Sequence, residues 1–410
     1  MLRQTENLGL YLPAFFFIKV NTNDSLIEIE QCSKHTKSTY FHEYVHFLED
    51  LFTLFGLRNI NYMVNVIYAI NKESLKLDEI IYPLTITDNE ILTQKELFTF
   101  YFGTYILSYD PLLITGYSIT PNNSVPGFEY VECVEIETIS IGIGRDSFYF
   151  GAFSILESIS HIIEKSIFGF SSTLNFPYNI VDLILDSLFP DLNLTPELRL
   201  ALCEESLNSG HPGRTFFTIL ERIKADKLNF KSPAEFHSYC QLQFFLQDEN
   251  KVKFSIPFAL ESETKKSQSN LKTYFKDEKI IRINSWIDFI FNKIKLIRKQ
   301  KFHFYKLYND KDYFVGIMNE LGTPLVANND NYYFQNPKID QSDCDISIFL
   351  AIRELMMISL GEQHHCELKQ RCQSVNAELV SEFCDTAPHE NRKRPLKCDL
   401  AALMYLWGLK

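Results

Sequence analysis

No run of about 20 consecutive apolar residues occurs in this 410-residue chain, and a helix needs about that length to cross a bilayer. A membrane is therefore not an expected partner. Basic charge is scarce as well: 40 Lys and Arg face 52 Asp and Glu, for a formal charge of −12. Phosphate recognition calls for a concentrated basic face, so nucleic acid is not expected either, and "RKRPLK" at 392–397 reads as a solvated loop. No cleavable leader is apparent, because polar residues precede the apolar run in "MLRQTENLGLYLPAFFFIKV" and no small-residue cleavage site follows it. The nine cysteines are odd in number and scattered through a chain far longer than a disulfide-stapled domain. A reducing, cytoplasmic setting is expected. No internal repeat at a fixed period is visible.

What is present is core material: 46% hydrophobic and 14% aromatic residues, in a chain long enough for two or three domains. The expected class is α+β, with a mixed sheet and helices first and a mostly helical half after them. Residues 1–190 form the first region, with a strand-rich insertion at about 75–150. Residues 191–345 form a helical domain, and 346–410 a terminal helix with a cysteine-rich module. Leu8–Val20 and "SLIEIE" (25–30) read as strands joined by a turn at 21–24. The β-branched alternation of "FEYVECVEIETISIGIG" (128–144) predicts another strand. Helices are predicted at about 36–56 with Gly56 as the stop, then 90–107, 151–170, 196–208, 214–226, 232–247, 280–300 and 346–360. The polar stretch "SETKKSQSN" (262–270) reads as a loop or helix end.

Inside the first of these helices lies "TYFHEYVHFLED" (39–50), in which His42, Glu43 and His46 spell H-E-x-x-H. Residues four apart on a helix differ by about 40° in direction and by about 6 Å in height. Two imidazoles so placed suit one Zn²⁺, with room for a third ligand and a water. Glu43 is turned off the line of the histidines yet close to such a water, where a general base belongs. With 31 Glu and 10 His, a random order of the chain holds about 0.02 such patterns. Chance is a poor explanation, and Phe41, Val45, Leu48 and Phe52 supply an apolar back to the same helix.

Residues 42–46 resemble the signature of the zincin metallopeptidases, and "HEYVHFLED" is similar to the surroundings of that motif in poorly characterised prokaryotic zincins. The resemblance covers these few residues. It implies a zincin-like catalytic region within 1–190 and hydrolysis of peptide bonds. Zincins divide by their third ligand. Glu49 and Phe52 stand where the metzincin branch has its glycine and histidine, which excludes that branch. Glu49 lies about 10 Å along the axis from His42 and suits a partner of a ligand histidine.

The gluzincin-like arrangement takes a glutamate from a separate helix. Glu157 in "GAFSILESISHIIEK" is the candidate, since Phe153, Ile155, Leu156, Ile159, Ile162 and Ile163 make that helix apolar nearly all round. A buried carboxylate needs a cation. His161 and Glu164 continue its stripe as supporting groups; Glu204, Glu205 and Asp182 are alternative ligands, and a Lys or Arg partner for Glu157 is the alternative to metal. Glu43 would act as base, and Tyr178 or His211 would stabilise the oxyanion. "SLIEIE" is the expected edge for an extended peptide.

Cys366, Cys372, Cys384 and Cys398 crowd the last 45 residues, near His364, His365 and His389. They are candidates for a second, structural Zn²⁺, although their spacing lacks the tight pairs of zinc ribbons; buried thiols are the alternative. Cys32, Cys133, Cys203, Cys240 and Cys344 read as core residues. The expected activity is a zinc endopeptidase acting on a protein or peptide, selective or switched on by an activating protein partner. The alternatives are a catalytically silent zinc-binding scaffold or sensor acting through protein contacts, and a helical protein without metal in which the motif is coincidental.

Overall fold

The computed structural model describes residues 9–408 apart from 76–82, 85–88, 122–130, 141–143, 171, 173, 245, 248–252, 275–280, 330–331, 335–345, 362–364 and 395–397. The chain starts with an antiparallel hairpin, β1 (Gly9–Leu12) and β2 (Phe17–Val20), with Gly9 opposite Val20. A single strand was expected here. The chain instead reverses over 13–16, where Ala14 and Phe16 take positive φ of 61° and 45°. Phe15, Phe16 and Phe17 all enter the core, so the apolar run is a buried turn between two short strands. The expected strand at 25–30 is also absent: Leu26–Gln31 is a 3₁₀ helix in which only Leu26 is buried. Ile27 is exposed while Ile29 packs partly on the core, so the inward residues Leu26 and Ile29 follow a helical step of three and not the alternation of a strand.

Helix α1 (Lys34–Phe52) is started by Ser33, whose side chain accepts the Thr36 N–H. It ends four residues before the expected Gly56. Thr53 leaves helical geometry and caps the next helix, α2 (Leu54–Ser74), by accepting the Gly56 N–H at 3.0 Å. Asn208 Oδ1 takes the Leu54 N–H at 3.1 Å. Gly56 thus sits inside α2, and its role is close approach: a Cβ there would lie 2.3 Å from Asp50 Cα.

After α3 (Asn89–Phe102) comes an antiparallel sheet of β3 (Leu113–Pro121), β4 (Glu132–Ser140) and β5 (Gly144–Tyr149), with β4 central. Helix α4 (Ala152–Phe168) follows and closes at Gly169, whose φ of 70° suits a residue without Cβ. Next are α5 (Ile180–Leu188), α6 (Pro196–Leu207), α7 (Pro212–Ala225) and α8 (Pro233–Gln243). The last three carry proline in the first turn, where the missing N–H costs no helical bond.

A two-residue pair, β6 (Leu246–Gln247) and β7 (Lys253–Phe254), leads to α9 (Ile256–Tyr274) and α10 (Ile281–Lys299). The stretch 262–270, expected to be a loop, is the middle of α9. Its polar side chains serve an interface between helices: Ser267 Oγ donates to the Leu57 carbonyl at 3.0 Å, and Asn270 Nδ2 to Asn61 Oδ1 at 2.8 Å.

Beyond a 3₁₀ turn (Phe304–Leu307) lie α11 (Lys311–Leu321), β8 (Leu325–Ala327), β9 (Tyr332–Phe334) and α12 (Ile346–Ser359). Short helices complete the chain: α13 (Lys369–Val375), α14 (Phe383–Thr386) and α15 (Asp399–Leu406). The result is a mixed α+β protein with small sheets and a largely helical second half.

Strand β8 pairs in parallel with β2, Phe17 beside Leu325, so the first sheet has the order β1-β2-β8-β9. Residues far beyond 190 therefore complete the sheet of the first region, and α4 packs on α6 across the expected border. One hydrophobic cluster runs from Tyr11 to Met404. Among the described residues no helix is long and apolar enough to cross a membrane.

Candidate metal centre

Packing of α4 on α1 sets Glu157 against the two histidines of the H-E-x-x-H turn. His42 Nε2 donates to Glu157 Oε2 at 3.3 Å, and His46 Nε2 lies 3.6 Å from Glu157 Oε1. One ligand atom from each of the three residues falls within 4.8 Å of the others. The imidazole rings stand 5.0 Å apart and nearly perpendicular, so both Nε2 atoms meet one carboxylate.

The opposite edge of each ring is held by a different acid. His42 Nδ1 donates to Glu164 Oε2 at 3.1 Å, and Ser38 donates to the other oxygen of Glu164. His46 Nδ1 donates to Glu49 Oε2 at 2.7 Å, with Ser160 Oγ at 3.2 Å. Carboxylates behind both rings fix the tautomer that presents Nε2 to a common point and raise the basicity of that nitrogen. Two imidazoles and a carboxylate, oriented in this way, fit a divalent transition metal. His161 stands one step further out, with Nδ1 3.9 Å from Glu164 Oε2.

The electrostatics follow from burial and pairing. Burial opposes charge on His42, but the hydrogen bonds to Glu157 and Glu164 prevail and raise its pKa to about 10. His46 is likewise raised despite burial, by Glu49 and Glu157. Burial also acts against ionised Glu157 and Glu164, and the histidines overcome it, leaving Glu157 far below the usual carboxylate range and Glu164 at about 2. Among the described residues Glu43 has no such hydrogen bond with the histidines. Burial lifts its carboxyl, the histidines draw it partly back, and it settles at about 7, the poise that suits a base at neutral pH.

Strand β1 lies directly over this acid: a Cβ on Gly9 would come within 2.6 Å of Glu43 Oε1. Tyr178 also reaches the centre, its ring 5.9 Å from His42 and 5.6 Å from His161. Burial, then the charges of Glu157, Glu43 and Glu164, push its phenol up, so the O–H is kept.

Other expected residues fall elsewhere. His211 caps α7: its Nδ1 accepts the Arg214 N–H at 3.2 Å and its Nε2 donates to the Glu132 carbonyl. With both ring nitrogens engaged, it has no donor left for an oxyanion. Asp182 is taken by Arg199 at 2.6 Å. Glu204 and Glu205 pair with a different set of histidines, His303 and His237, a grouping that the sequence reading did not anticipate.

Cys366, Cys372, Cys384 and Cys398 lie near enough to influence one another's ionisation, yet no three of them bring their sulfurs within 4.8 Å of one another among the described residues. Cys384 Sγ instead accepts from Asn391 Nδ2 at 3.8 Å, and the Ala401 N–H donates to Cys398 Sγ at 3.5 Å. Cys32, Cys133, Cys203 and Cys240 are buried, as expected; Cys344 and His364 lie outside the described residues.

Fold and site together define a mixed α+β protein with a largely buried group of two histidines and a glutamate, His42 buried and His46 and Glu157 half-buried, suited to a divalent metal. Compared with protein-family models, curated proteins and solved structures, the chain matches none of them.

Proposed function

We propose that the chain is a zinc-dependent metallopeptidase of the zincin type, with His42, His46 and Glu157 as metal ligands and Glu43 as general base. The reading is carried by one observation: both ligand histidines are clamped from behind, by Glu164 and Glu49, so that their Nε2 atoms converge with Glu157. An ordinary buried ion pair has no need of two such clamps.

Bound there, zinc supplies Lewis acidity and brings the pKa of water down toward neutrality. Glu43 takes the proton of the attacking water as its oxygen joins the peptide carbonyl carbon. When the C–N bond breaks, Glu43 returns that proton to the leaving amine. Tyr178, kept protonated, donates to the oxyanion. The substrate is a protein or peptide segment, and β1 is its edge: it is terminal in the sheet order among the described residues and covers Glu43. An extended segment can add beside it by strand pairing.

His42 and Glu43 are only 8% and 7% exposed. A closed centre of this kind favours a selective enzyme, or one that a protein partner opens. The eight described cysteines are all free thiols, which fits a cytoplasmic enzyme.

The test is Glu43→Gln. The variant is expected to keep its zinc while cleavage falls about 10²- to 10⁴-fold, read by mapping new N-termini in cells expressing each form. The same burial supports a second reading, a zinc-binding scaffold without turnover. Under that reading Glu43→Gln leaves every cellular phenotype unchanged and no new N-termini appear with the native chain.

A further inference from the structure

Outside the centre already described, one more group of side chains among the described residues has the composition of a metal site. Glu204 and Glu205 on α6, His237 on α8 and His303 before the 3₁₀ turn meet at the floor of a cavity of about 610 Å³. Ligand atoms of Glu204, His237 and His303 lie within 4.8 Å of one another. His303 Nδ1 donates to Glu204 Oε1 at 2.8 Å, and the Phe304 N–H donates to Glu204 Oε2 at 3.0 Å.

For one of the two histidines the arrangement repeats the logic of the first centre. His237 Nδ1 donates to Glu205 Oε1 at 2.6 Å, as His46 Nδ1 does to Glu49, and this turns His237 Nε2 toward Glu204, 3.7 Å away. His237 is 3% exposed, yet its Nε2 makes no hydrogen bond among the described residues. A buried ring nitrogen left so is costly. Were the cluster only a charge pair, this nitrogen would close the last half ångström to Glu204. A cation between them satisfies both atoms at once.

We infer that Glu204, His237 and His303 form a second metal site, independent of the first, that takes one divalent ion of the zinc class. Glu205 positions His237. Three protein donors would leave a further coordination position for water or a ligand from the cavity that these residues line. The cavity wall includes Phe52, the last residue of α1, and Arg298, which donates to the Leu51 carbonyl. The ion therefore ties α6, α8 and the 303–304 segment together around the C-terminal end of the helix that carries His42 and His46.

The test uses the full chain, stripped of metal and reconstituted with zinc, and reads metal content and thermal midpoint. The His46→Ala chain, whose second cluster is untouched, is expected to retain about one zinc and to melt at a higher temperature with zinc than without, since a ligand bound only by the folded state stabilises it. Adding His237→Ala, or Glu204→Gln in a separate chain, is expected to remove both effects. A His46→Ala chain that holds no zinc and melts alike with and without it overturns the inference, whatever becomes of the cluster variants. If the first centre is misassigned instead, the native and His46→Ala chains hold the same single zinc, and Glu204→Gln removes it.

Discussion

Metal binding at the His42 centre has to displace protons. Without metal, His42 holds its proton up to about pH 10, against 6.5 for a free imidazole. Its pairing with Glu157 and Glu164 therefore stabilises the fold fully between about pH 4.5 and 6.5; the contribution fades as pH rises through 10 and as it falls through the lowered values of the two carboxyls. A divalent ion competes with that proton and with the one on His46, so binding at pH 7 is expected to release up to about two protons. Calorimetry of zinc binding in buffers of different ionisation enthalpy measures the number; a value of zero would exclude the histidines as ligands. Tyr178→Phe is expected to keep zinc content and lower kcat about 10²- to 10³-fold, whereas a purely packing role would change the melting temperature and spare kcat. The five residues from His42 to His46 could be read directly because their spacing is local. Glu157 could be read because an acid on a helix apolar nearly all round needs a cation. Glu164 and Glu49 were visible as neighbours, but which ring nitrogen each one holds depends on how α4 lies on α1.

At the scale of elements, the break between α1 and α2 shows how much a sequence pattern conceals. Apolar periodicity runs through 41–55 without interruption, and Gly56 looks like a stop. The helix actually ends at Phe52, because Thr53 and Asn208 offer the caps that begin a new one. Gly56 is needed where α2 crosses back over Asp50. Gly56→Ala is thus expected to destabilise the protein by about 1–3 kcal/mol, the usual range for overpacking, although alanine is the better helix former; urea unfolding measures this, and a stabilised variant would refute the crossing. The hairpin at 9–20 and the 3₁₀ helix at 26–31 were illegible for a related reason. Short apolar runs fit strand, turn and helix alike, and for the hairpin the partner strand that decides, Leu325–Ala327, lies far along the chain. Glu204, His237 and His303 carry no motif, since three separate segments supply them.

At the scale of the whole molecule, contacts cross the expected border at 190. Residues 1–190 hold every group of the first centre, but β2 has Leu325–Ala327 as its neighbour and α4 leans on α6. A chain cut after residue 190 is expected to expose this surface and to remain unfolded by circular dichroism, binding no zinc. A soluble, cooperatively melting fragment would restore the border at 190. The long-range pairing of Phe17 with Leu325 also has a consequence in time. During synthesis β1 and β2 leave the ribosome early, and the strand that anchors them arrives only when most of the chain has been made. Until then the hairpin rests on α1 through Tyr11 and Asp50, and β2 lacks its neighbour in the sheet. Under the proposed function, the sheet that offers an edge to a substrate is completed only when most of the chain has been made, so cleavage is expected to begin late in synthesis.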